Sequence, residues 1–157
     1  MTENNLPILV GVDGSEPSVS ALRYAAELAA AVHAPLRVMT VWQYPALIPY
    51  FPPEEREQEA AAASALSISI TRAIGEDDTV QLSRDLLEGS PAQRLIQESR
   101  HARMLVLGTR GAGGFARLLL GSVSAACAAH AHCPVLLVPS GTTSNRRTAA
   151  APSSDSE

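Results

Sequence analysis

"GTRGAGGFARLLLGS", residues 108–122, sets five glycines and two arginines between an apolar run and an alanine-rich helical pattern. The preceding "MLVLGT", residues 104–109, reads as a buried strand, and the pattern from about 121 to 131 reads as a helix. A strand that passes through bare, positively charged backbone into a helix suits a parallel sheet with helical crossovers, and it suits an anion at the helix start.

Working outward, the same alternation recurs along the chain. "PILVGV" at 7–12 is a short apolar run closed by Asp13-Gly14-Ser15, and Ser15 can cap a helix. Leu22, Ala26 and Ala29 then keep helical spacing to about His33, where Pro35 stops the pattern. "LRVMTVW" at 36–42 is a second strand. "QYPALIPYFPPEE" at 43–55, with four prolines, can only be a long connection. Residues 54–74 are helical in pattern, and "TVQLSRDLLEG" at 79–89 alternates like a strand with one wet face. Ser90, Pro91 and Gln93 form a helix start with an expected capping box. The last strand is "PVLLVP", 134–139.

Five strands alternating with four helices predict one α/β domain over residues 1–139, a doubly wound parallel sheet with helices on both faces. With strand order 3-2-1-4-5, the loops at Asp13 and Gly108 meet where the order reverses, the place where such sheets bind ligands. Residues 140–157 lack large apolar side chains and are expected to be a disordered tail.

Composition narrows the chemistry. The net charge is −4 and all 12 basic residues are arginine, so no broad basic surface exists for nucleic acid. Without lysine, a Walker A loop and Schiff-base chemistry are excluded. No apolar run approaches the roughly 18 residues of a membrane span, and the first residues do not resemble a signal peptide. Two cysteines fit a reducing compartment, and a cytoplasmic location is expected.

Phosphate can still be held locally. Gly108 and Gly111 are separated by two residues, and nine more lead to Gly121 and Ser122. Nine residues span roughly 30 Å, enough to pass round a polyphosphate and return. Gly121 and Ser122 then open a helix whose first N–H groups face outward as anion donors. Ser122 and Ser124 can add hydroxyls, and Arg110 a charge-assisted bond. The competing reading is a plain surface loop with a helix cap at Gly121.

Gly108-x-x-Gly111-x9-Gly121-Ser122, together with "ILVGVDGS", "GSPAQRLI" and "HCPVLLVP", resembles the ATP-binding branch of the universal stress protein family over residues 7–139. The resemblance implies a flavodoxin-like fold, ATP in the crevice with or without magnesium, and a homodimer through the last strand, 134–138. It also implies that Gly11, Val12 and Asp13 line the adenosine end and that Val41 offers its backbone to adenine. Gly108, Arg110, Gly111, Gly121, Ser122, Val123 and Ser124 would surround ribose and phosphates.

Other groups weigh less. Cys127, His130, His132 and Cys133 are zinc-ligand types, yet Val123, Ala126, Cys127 and His130 share one helical stripe, so Cys127 is expected to be a small buried residue and no metal site is expected. Asp13 could act as a catalytic carboxylate or magnesium ligand, or merely close a turn. No partner general base stands near it in sequence. An ATP-binding regulatory protein is therefore expected. A slow ATP hydrolase or nucleotide-dependent transferase and a ligand-free structural dimer are the alternatives.

Overall fold

The strands are β1 (Ile8–Gly11), β2 (Leu36–Trp42), β3 (Leu82–Glu88), β4 (Met104–Gly108) and β5 (Val135–Val138). The helices are α1 (Glu16–Ala31), α2 (Glu55–Ile74), α3 (Pro91–Glu98) and α4 (Ser122–His130), with a 3-10 turn at Ser99–His101. The computed structural model describes residues 5–43, 55–76, 80–110 and 120–141. Most of the expected connection at 43–55, Gly111, and the expected tail beyond Gly141 lie outside the described residues.

All pairings are parallel, and the sheet runs β3-β2-β1-β4-β5. Ile8 stands beside Leu36 on one side and Met104 on the other, so β1 and β4 are neighbours at the reversal of strand order. The expected doubly wound 3-2-1-4-5 sheet is therefore present. β2 has the bounds that the sequence predicts, whereas β3 is shorter than the expected 79–89 because the ladder to β2 begins at Leu36 and Leu82.

Alternate strand residues feed two cores. Ile8, Val10, Leu36, Val38 and Val106 pack with Leu22, Ala25 and Ala29 of α1 and Leu66 and Ile70 of α2. On the other face, Leu9, Met39, Leu105 and Leu107 pack with Leu95 of α3 and Cys127 of α4. Burying each large aliphatic side chain contributes roughly 1.5–3 kcal/mol. Both faces are covered, as a parallel sheet requires.

Local signals set the helix ends. Ser15 caps α1 by accepting from the Ser18 N–H, and Glu16 lies in the first turn, where the helix dipole favours a negative charge. The Ala34 N–H returns to the Ala29 carbonyl at 3.0 Å, with His33 at φ 53°, which closes the far end of α1 in the left-handed turn that usually holds glycine. At α3, Ser90 is the N-cap and Pro91 the first helical residue, but the Ser90 side chain makes no cap hydrogen bond. The expected box with Gln93 is not closed.

Candidate functional site

The carboxyl ends of β1 and β4 open side by side, and each continues into a loop that starts a helix on an opposite face of the sheet. After β1, Asp13 makes a tight turn. Its Oδ1 accepts the Ser15 N–H at 3.0 Å and also the Ser15 hydroxyl, and Gly14 has φ 83°. The turn role foreseen for Asp13 is thus occupied, with the residue exposed at the rim.

After β4, the two ends of the glycine loop are tied together. The Gly121 N–H donates to the Thr109 carbonyl at 2.7 Å, and the Thr109 N–H donates to Val138 at 3.1 Å. The Ser124 hydroxyl, buried at 5%, donates to the Gly108 carbonyl at 2.6 Å. Its hydrogen is therefore committed inside the fold, where the sequence reading offers it to phosphate. Ser122 is exposed and Val123 half-buried.

No side-chain hydrogen bond caps α4 at Gly121, and the first intrahelical bond runs from the Ala125 N–H to the Gly121 carbonyl. The N–H groups of Ser122, Val123 and Ser124 precede it, so helix geometry gives them no intrahelical acceptor. Gly121 itself has φ −70° and ψ 162°, extended backbone open to any residue. What glycine supplies here is the missing side chain.

Val41 completes the frame on the β2 side. The β1–β2 ladder ends with the Val12 N–H on the Met39 carbonyl at 2.9 Å, while the Trp42 carbonyl accepts from Gly89 on the β3 side. Because successive residues of a parallel strand turn their backbone groups to opposite neighbours, Val41 turns its own toward β1, at a level where β1 has already bent away. The Val12 carbonyl accepts instead from the buried Thr40 hydroxyl at 2.9 Å.

Gly11 and Val12 are buried at the floor. Gly108 is also buried, and a Cβ on it would lie 2.9 Å from the Pro17 carbonyl carbon and oxygen. The structure thus brings Gly11, Val12, Asp13, Val41, Gly108, Gly121, Ser122, Val123 and Ser124 to one end of the sheet. Arg110 stands at the loop's entrance, and Gly111 lies outside the described residues.

Sequence reasoning missed Thr40, whose polar side chain in an apolar strand was the only available signal. The cysteines behave as packing residues. Burial, and secondarily the neighbouring Cys133, push the Cys127 thiol up to about 11, and burial likewise raises Cys133. Among the described residues no three His, Cys, Asp or Glu side chains converge as a metal site.

The family model described as "Universal stress protein family" matches residues 5–139. A universal stress protein of Mycolicibacterium smegmatis is 33% identical over 136 residues, which are 87% of this chain and 46% of that protein. The chain spans about half the length of the curated relatives it matches. Among solved structures, universal stress protein UspA from Lactobacillus plantarum superposes with a TM-score of 0.72 at 20% identity, covering 85% of this chain and 98% of that one. A universal stress protein in complex with cAMP gives a TM-score of 0.65 at 29% identity, covering 87% of this chain and 98% of that one.

Proposed function

The chain belongs to the universal stress protein family, and on that premise we propose that it is an ATP-binding regulatory protein of the stress response, acting in the cytoplasm as a homodimer. The observation that carries the reading is the start of α4, where helix geometry leaves three main-chain N–H groups without an intrahelical acceptor at the switch point between β1 and β4. The phosphates bind there, with Arg110 at the entrance. Adenine lies against the Val41 backbone, an N–H and a C=O that match its acceptor and donor edges. A universal stress protein of similar fold in complex with cAMP supports an adenine nucleotide as the ligand.

Each hydrogen bond to a charged phosphate contributes roughly 1.5–3 kcal/mol, so a few amides reach micromolar affinity without lysine.

Two edges of the sheet differ in a way that supports the dimer. β3 guards its edge with Arg84, Asp85 and Glu88, whereas β5 is Val135-Leu136-Leu137-Val138 without a charge. The test of the nucleotide reading is to denature freshly purified protein and identify what is released by mass spectrometry. ATP or a related adenine nucleotide is expected. Its absence, together with no heat on titrating ATP, contradicts the reading.

A further inference from the structure

We infer that Ser124 is a positioning residue for the nucleotide site, a latch that fixes the first turn of α4 before any ligand arrives. The inference rests on the nucleotide reading above and goes beyond it, because a hydroxyl aimed at Gly108 acts through the helix and not on phosphate.

The geometry is specific. The glycine loop leaves β4 at Gly108 and returns at Gly121, and its ends would be free to separate if only the loop joined them. Two short bonds prevent this: Gly121 N–H to the Thr109 carbonyl at 2.7 Å and Ser124 Oγ to the Gly108 carbonyl at 2.6 Å. The second spans one helical turn beyond the first, so together they fix both the position of α4 and its rotation about its axis. Rotation decides where the Ser122, Val123 and Ser124 amides point. A site whose donors are held in advance binds more tightly than one that must order them on binding.

The opposite end of α4 provides a control. Ser99 is 1% exposed, its hydroxyl donates to the Ile96 carbonyl at 2.6 Å and accepts the His132 N–H at 2.8 Å, just past the end of α4. Ser99 and Ser124 are thus two buried hydroxyls, each fastening one end of the same helix, and only Ser124 is at the crevice.

The experiment compares Ser124→Ala, Ser124→Thr and Ser99→Ala with the parent chain, stripped of nucleotide, by calorimetric titration with ATP, amide hydrogen exchange and thermal unfolding. Ser124→Ala should weaken ATP binding about tenfold and speed exchange of the hydrogen-bonded Gly121 and Ala125 amides in the free protein. Ser124→Thr, which keeps the hydroxyl, should restore both. Ser99→Ala should lower the melting temperature with ATP affinity unchanged. Parental affinity and exchange in Ser124→Ala overturn the latch, as does an equal loss of affinity in Ser99→Ala. A parent chain that binds no ATP, with the exchange difference present, overturns the nucleotide reading and leaves the latch in place.

Discussion

Gly108, the last residue of β4, lies directly against the backbone of Pro17 in the first turn of α1: a Cβ placed on it would fall 2.9 Å from the Pro17 carbonyl carbon and oxygen and 3.0 Å from its Cβ. This contact draws the α1 start and the β4 end together, and so sets the width of the crevice between the Asp13 turn and the glycine loop.

Gly108→Ala should therefore destabilise the protein by about 2 kcal/mol, because the obstacle is main chain and cannot rotate away. Urea unfolding measures this directly. A change within a few tenths of a kcal/mol would show that α1 moves aside freely and that the crevice width is not fixed there.

How much of this was open to reading from the sequence depended on range. β2 at 36–42 and the Ser15 cap follow from local apolar runs and turn residues, which carry their signal within a few positions. The Gly108–Pro17 approach, the Thr40 bond to Val12 and the Ser124 bond to Gly108 join residues 91, 28 and 16 positions apart or depend on helix rotation. Gly108 thus reads as a phosphate glycine in sequence and as a packing glycine in space. Arg37, bonded to Asp85 and Glu98 across β3 and α3, was invisible for the same reason.

His33 offers a stabilising change. It holds φ 53° at the end of α1 and is exposed, so its side chain gains little there while its backbone is strained. His33→Gly should raise stability by about 0.5–1 kcal/mol, the left-handed penalty less the added freedom of the unfolded chain. Chemical denaturation that gives a lower midpoint would mean the imidazole makes a contact that matters.

Cys127 predicts a pH dependence. Its folded value of about 11 lies above the ordinary 9.0, so the folded state keeps the proton that the unfolded chain gives up. The associated stability is complete below about pH 9 and disappears as pH rises toward about 11. The chain has no lysine to titrate over the same range. Cys127→Ala should flatten the fall in stability across this window, and an unchanged slope would assign the fall to other groups. At neutral pH the thiol of the native protein should resist alkylation.

The β5 edge predicts an oligomeric state. Pro134 and Val138 turn their carbonyls to β4, so by alternation Val135 and Leu137 turn their backbone groups outward. Leu137→Pro removes an outward N–H and spares the ladder to β4. Sedimentation should find a dimer for the parent chain and a folded monomer for the variant. A parent chain that sediments as a monomer at all concentrations would remove the dimer from the account.

The most direct measurement is calorimetric titration of nucleotide-free parent protein and Gly121→Val with ATP. The backbone at Gly121, φ −70° and ψ 162°, accommodates valine, so the fold should persist while the isopropyl group blocks the approach of phosphate to the α4 amides. Micromolar binding by the parent chain and none by the folded variant is the predicted result. Equal affinity in the two would place the phosphates elsewhere and contradict the account.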